Sequence, residues 1–180
     1  MILLATEKDV PQVVNIHKNA LQDTIFGRMT DAQLSEFYKK KIRHKYSILL
    51  VQKDNSTMIK GFVASYQNKI IDNGKMFLLL IFKLRNWIPV ILSFRIRIWM
   101  LFNRLYLRDR VEICVLAVLP NYQGEGIGTE LIKTFMNQCE KNLFVITDND
   151  LSLRFYEKMN FTRVYQCSFL NNKRYLLINF

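Results

Sequence analysis

Cysteine is scarce in this chain. Cys114, Cys139 and Cys167 are its only three in 180 residues, scattered without a Cys-x-x-Cys pair or a Cys/His cluster. That spacing suggests no zinc site, and an odd count fits a reducing cytosol better than a disulfide scaffold. Histidine is scarcer still, with His17 and His44 alone. A long apolar run is also missing. Between residues 75 and 109 the longest uncharged stretch, Asn86 to Phe94, contains Pro89 and falls far short of the ~18–20 residues that span a bilayer. The start, Met1-Ile2-Leu3-Leu4-Ala5-Thr6-Glu7, becomes acidic too early for a secretory signal. Acid is otherwise in short supply, with 15 Asp and Glu against 26 Lys and Arg and a net charge of +11. What is left is a chain that is 50% hydrophobic and 23% charged, which is globular in composition. Its length suits one domain, residues 1–180, with enough chain for a core. The expected location is cytoplasmic.

The positive charge is concentrated. From Lys75 to Arg110 eight cations face a single Asp109, so this segment carries +7 and the rest of the chain +4. Residues 75–109 form a basic hydrophobic insertion, rich in Leu, Ile, Phe and Trp and broken by Arg or Lys every few positions. As a helix it would gather Arg97, Arg104 and Arg108 on one face, while Phe94 to Trp99 alternates well enough for a strand. Four uses stay open. It is a core elaboration with a solvated basic rim, an interfacial segment resting on an anionic membrane, a homodimer contact, or a nucleic-acid surface. The last is disfavoured, since no reading module accompanies the cations.

Periodicity supplies the remaining elements. Met1 to Ala5 reads as a short strand. Asp9 is placed to cap a helix with Pro11 in its first turn and Val13, Val14, Ile16 and Leu21 inward. Gln22 to Gly27 reads as a loop, and Thr30 or Asp31 caps a second helix to about Lys41. Tyr46 to Lys53 and Met58 to Gln67 are strands joined by an Asp54-Asn55-Ser56 turn. Leu143 to Thr147 is another strand. Asp148 or Asn149 caps a helix carrying Leu153, Tyr156 and Met159. Thr162 to Phe169 and Tyr175 to Phe180 pair across Asn171-Asn172-Lys173.

The stretch that organises the chain is Val111 to Leu131. Val111 to Val118 is a β-branched and apolar run of strand length, stopped by Pro120. Gly124, Gly126 and Gly128 follow at alternate positions, and from about Gly126 Leu131, Ile132, Phe135 and Met136 recur at helical spacing to about Lys141. Strand, glycine loop and helix N-terminus in series suit an anion, because the first turn of a helix leaves N–H groups unpaired and glycine lets a phosphate approach them. A Walker loop is excluded, since Thr129-Glu130 follows the last glycine, and Gly-x-Gly-x-Gly is not the dinucleotide fingerprint. The residues Gln123-Gly124-Glu125-Gly126-Ile127-Gly128 instead match Gln/Arg-x-x-Gly-x-Gly/Ala.

That pattern resembles the pyrophosphate loop of the GCN5-related N-acetyltransferases, the GNAT family. A second stretch, Asn149 to Phe161, is similar to the family's Asn-x-x-Ala/Ser-x-x-Phe-Tyr-Glu-Lys-x-Gly-Phe, with Ser152 where Ala is usual and Asn160 where Gly is usual. Asn tolerates a left-handed helix end nearly as well as Gly. Ala5 to Val10 also resembles the family's usual start. The resemblance covers 110–180 closely and 1–70 loosely. It implies an α/β (α+β) acyl-CoA N-acyltransferase fold, a mixed, mostly antiparallel sheet flanked by helices, in which the fourth and fifth strands splay to admit the acyl-CoA arm.

The resemblance further implies acetyl-CoA as acyl donor, a small primary amine as acceptor, and no metal. Gln123, Gly124, Glu125, Gly126, Ile127, Gly128 and Thr129 would offer backbone donors to the pyrophosphate. Leu116, Ala117 and Val118 would line the thioester end, with strand-edge amides near Val118 meeting its oxygen. Asn149 would bond the cofactor arm, against a plain cap. Tyr156 would be the acid for the departing thiolate, against a core tyrosine. Glu112, on one strand face with Cys114, Leu116 and Val118, is the candidate base, against a solvated or salt-bridged strand end. His17 and His44 are weaker candidates. Asp23 and Thr24 fall with His17 where the family builds its acceptor pocket. The acceptors that fit are an amino sugar of a surface-polysaccharide precursor, another small amine, or a protein amine. A membrane- or polyanion-binding protein on an idle acyltransferase fold is the alternative.

Overall fold

The computed structural model describes residues 1–22, 24, 26–67, 95, 96, 98, 99, 110–169 and 172–180. They gather into two compact units, Met1–Tyr66 with Ile113–Glu140, and Gln67–Glu112 with Lys141–Phe180.

The first unit has strands β1 (Ile2–Leu4), β2 (Leu49–Lys53), β3 (Ile59–Gln67) and most of β4 (Val111–Val118), and helices α1 (Val10–Ala20), α2 (Asp31–Arg43) and α3 (Ile127–Gln138). Its strands run in the order β1-β2-β3-β4, and β2 is antiparallel to both its neighbours, with Leu3 opposite Val51 and Val51 opposite Phe62. The β2–β3 turn is held by the Asp54 carboxylate, which accepts from Ser56 N (2.9 Å), Ser56 Oγ (2.7 Å) and Met58 N (3.0 Å). Val10, Val13, Val14 and Ile16 of α1 and Leu34 and Tyr38 of α2 are buried against Val51, Phe62, Val115 and Ala117 of the strands. The period-3.6 and period-2 patterns thus meet in one core.

Several boundaries differ from the sequence expectation. Asp9 does not cap α1. Its own backbone is helical (φ −83, ψ −16), and its carboxylate turns back to accept from Thr6 N at 2.8 Å and from the Lys53 ammonium at 2.6 Å. Burial pushes that carboxyl up, but the Lys53 and Thr6 donors outweigh it and hold Asp9 below the usual aspartate range. Thr30, not Asp31, caps α2, in a reciprocal box with Gln33 (3.3 and 2.9 Å), and the helix runs on to Arg43. Strand β2 starts at Leu49 rather than Tyr46, because His44 to Ser47 forms a turn in which Ser47 N donates to His44 O (3.0 Å). Helix α3 stops at Gln138, three residues early, where Cys139 turns extended.

The second unit holds β5 (Leu143–Thr147), α4 (Asp150–Lys158), β6 (Thr162–Phe169) and β7 (Asn172–Ile178), with β7 central and antiparallel to both β5 and β6. Asn172 and Lys173, expected in a turn, lie in β7 opposite Phe169 and Ser168, because the ladder continues to the end of β6. Asn160 closes α4 at φ 63, the left-handed position its amide tolerates. The core gathers Ile96, Phe144, Cys167, Leu176 and Ile178.

Most of the basic insertion lies outside the described residues. Arg95, Ile96, Ile98 and Trp99 are helical, with Ile96 buried and Arg95 and Ile98 exposed. Trp99 stacks on Tyr165 of β6 at 4.8 Å. Among the described residues no helix is long and apolar enough to cross a membrane.

Candidate active site

The glycine loop grows directly out of β4. After Val118 the chain makes one tight turn, Pro120–Tyr122, in which Gln123 N donates to Pro120 O at 3.2 Å. The Gln123 side chain then folds back, its Nε2 donating to Val118 O at 3.1 Å. Gly124 (φ 88) and Gly126 (φ 83) take left-handed backbone, and a Cβ built on either meets nothing within 4 Å. The loop therefore presents bare backbone to open space. Gly126 O accepts the first bond of α3 from Glu130 N at 3.0 Å, which puts Ile127, Gly128 and Thr129 in the turn whose N–H groups have no intrahelical partner. Loop and helix start are pressed onto β3 at Gly61, where a Cβ would sit 3.0 Å from Ala117 O and 3.1 Å from the side chains of Ile127 and Val118. The Lys60 ammonium lies over the Tyr122 ring at 4.4 Å.

Along β4, Ile113, Val115 and Ala117 are buried and Cys114, Leu116 and Val118 half-buried, the alternation that period two predicts. Glu112 departs from it. It is 9% exposed, so it is not a solvated strand end. Val111 beside it donates to Asn142 O at 3.0 Å, and both Val111 and Glu112 belong to the second unit.

The other two predicted residues are also in the second unit. Asn149 caps α4, its Oδ1 accepting from Leu151 N (2.7 Å) and Ser152 N (3.2 Å). This fixes which end of the amide faces outward: the Nδ2 donors. Tyr156 is 4% exposed, its ring edge-on to Phe155 (5.1 Å) and Phe161 (5.3 Å).

The weaker candidates have other roles. His17 is wholly buried, its Nδ1 2.5 Å from the Tyr38 hydroxyl and its Nε2 without a partner. Burial, helped by the Lys18 charge, lowers it to about 4, so it is neutral at pH 7. His44 packs its ring on Tyr66 (5.2 Å). Thr24 Oγ accepts from Gly27 N (3.0 Å) and closes the loop after α1, and Asp23 lies outside the described residues.

Two side chains escaped the sequence reading. One is the Gln123 clasp on Val118 O. The other is Lys41, 8% exposed, which donates to Ser65 O (3.3 Å) with its ammonium over the Tyr66 ring at 4.4 Å. Lys41 falls on the Leu34, Tyr38 face at helical spacing, a signal that was available. Among the described residues no cluster of His, Cys, Asp or Glu could hold a metal.

With this geometry in view, comparison with known proteins is informative. Residues 90–161, which include β4, the glycine loop and the Asn149–Phe161 stretch, match the sequence profile of the acetyltransferase (GNAT) family. The chain has the GNAT fold and carries that family's signature. A mosquito arylalkylamine N-acetyltransferase-like protein superposes with a TM-score of 0.75 at 14% identity, over 99% of this chain and 98% of that one. The ribosomal-protein-S18-alanine N-acetyltransferase of Escherichia coli gives 0.63 at 12%, over 99% and 92%. A spermidine N-acetyltransferase mutant of Vibrio cholerae gives 0.64 at 14%, over 99% and 94%. At such identities the likeness concerns the fold. No curated protein sequence matches the chain. The expected GNAT architecture, mixed α/β with a mostly antiparallel sheet and flanking helices, is the one found.

Proposed function

We propose that this chain transfers an acetyl group from acetyl-CoA to a primary amine. The observation that carries the reading is the loop after β4, where two left-handed glycines expose backbone immediately before the unpaired first turn of α3. Those residues fit a pyrophosphate: Gly124 through Thr129 offer amide donors, and the macrodipole adds partial positive charge. Gln123 contributes its clasp on Val118, which fixes the loop to the strand. Leu116, Ala117 and Val118 line the thioester end, and Asn149 offers its Nδ2 donors to the cofactor arm. The cofactor supplies the activated acyl group. The residues of the chain handle two protons. Glu112 takes one from the attacking amine, directly or through water, and the Tyr156 hydroxyl gives one to the departing sulfur.

For the acceptor we propose a small amine, an amino sugar first, since spermidine and protein acetyltransferases share the fold and the +7 segment favours an acidic or membrane-held molecule.

Calorimetry with acetyl-CoA tests the reading. Wild type is expected to bind, and Gly126→Asp to lose binding while keeping its far-UV spectrum, since the new carboxylate projects into the space that a phosphate would take. Failure of the wild type to bind any acyl-CoA ends the enzyme reading and makes lipid-vesicle binding the next question.

A further inference from the structure

The turn that carries Asn149 is held from behind by two adjacent residues of β7. Asp148, on one side of Asn149, accepts from Arg174 Nη2 at 2.6 Å. Asp150, on the other side, accepts from the Tyr175 hydroxyl at 3.2 Å. The side chain of Arg174 is 14% exposed and that of Asp148 56%, so a largely buried cation reaches out to a surface turn. Tyr175 is itself buried, and its backbone pairs with Thr147 at the end of β5. Thr147 adds a third tie, its Oγ accepting from Asn149 N at 3.2 Å. Every neighbour of Asn149 is thus fixed, and its own Oδ1 is engaged by the two amides of α4.

A helix cap does not require this. A capping Asn needs only its β-region backbone and the N2 and N3 amides, all supplied locally here. A charged side chain brought to a largely buried position in β7, one residue from a buried tyrosine that grips the next carboxylate, adds nothing to the cap bonds. What it fixes is the position of the turn relative to the sheet, and so the direction of the Asn149 Nδ2 group. We propose that Arg174 and Tyr175 are positioning residues for the cofactor arm. They hold Asp148 and Asp150 so that the Asn149 amide is aimed before acetyl-CoA arrives. The inference rests on the acetyl-CoA reading above, and it extends the arm site to two residues of β7 outside the Asn149–Phe161 motif.

The test is a double-mutant cycle read by calorimetry, with two probes: acetyl-CoA, and adenosine 3′-phosphate 5′-diphosphate, which lacks the arm. Arg174→Met and Tyr175→Phe should each weaken acetyl-CoA roughly three- to tenfold, leave the diphosphate unchanged, and add nothing once Asn149 is Ala. Arg174→Lys, which keeps a donor for Asp148, should recover part of the loss. Equal losses for both probes, or losses that simply add to that of Asn149→Ala, overturn the proposal and leave Arg174 a stabiliser of the fold. Tyr175→Phe keeps the buried ring and serves if Arg174→Met does not fold. Wild type that binds the diphosphate but gains nothing from the arm also overturns it. Wild type that binds neither probe removes the acetyl-CoA reading and this inference together.

Discussion

His17 has no contact with solvent, and its Nδ1 is shared with the Tyr38 hydroxyl. It is neutral in the fold, with a pKa near 4 against 6.5 for a free histidine. In the pH interval between those values only the unfolded chain takes the proton. Stability is therefore complete above about pH 6.5 and declines as pH falls toward 4, by about 3 kcal/mol in total. Urea unfolding at pH 7, 6 and 5 should show the decline, and His17→Asn should flatten it. Asp9 is shifted in the same direction, downward, and its contribution is likewise lost as pH falls. Its carboxylate is held low, so its contribution is lost only below the ordinary aspartate value of 3.8. The two windows separate on the pH axis. Tyr156 is buried between two phenylalanine edges, and replacing it by Phe keeps that packing while removing one hydroxyl. The expected result is turnover reduced by about a hundredfold or more with acetyl-CoA affinity unchanged. A core tyrosine with no chemical role would instead leave turnover intact.

Among the elements, the loop between β4 and α3 depends on a residue far from it in sequence. Gly61 of β3 faces Ala117 O, Ile127 and Val118, and one of those contacts is rigid backbone. Gly61→Val should push the strand end and the helix start apart. We expect a lower melting temperature, a stability loss of about 1–3 kcal/mol and weaker acetyl-CoA binding, measured by thermal unfolding and calorimetry. Legibility divides along the same line. The Val118 to Leu131 stretch was readable because strand, glycines and helix are contiguous and each is signalled by its own residue types. Asn149 was readable for the same reason. Gly61, the Gln123 clasp and the Arg174–Asp148 pair were not, because each is a contact that exists only after the sheet has formed. Asp9 shows the limit most plainly: its position ahead of Pro11 is right for a cap, but Lys53, 44 residues later, competes for the same carboxylate. The start of β7 was misjudged because Asn172 and Lys173 carry turn chemistry, yet the ladder with Phe169 and Ser168 outweighs it.

For the molecule as a whole, charge is localised. Of the +11, the segment from Lys75 to Arg110 accounts for +7. The rest of the chain is only mildly basic, and its surface ion pairs, such as Arg43 with Glu7 at 2.7 Å, are ordinary exposed contacts worth little to stability. None of the three cysteines is bridged. The insertion could not be read from sequence because its apolar content satisfies a helix and a strand alike. Its four described residues are helical, with Ile96 and Trp99 three apart against the core of the second unit and Arg95 and Ile98 outward. Trp99 lies 4.8 Å from the Tyr165 ring at an interplanar angle of 20°. An indole stacked so closely on a phenol is a built-in optical probe. Its emission, isolated by replacing Trp87 with Phe, registers any event that lifts this helical turn from β6, with no dye attached.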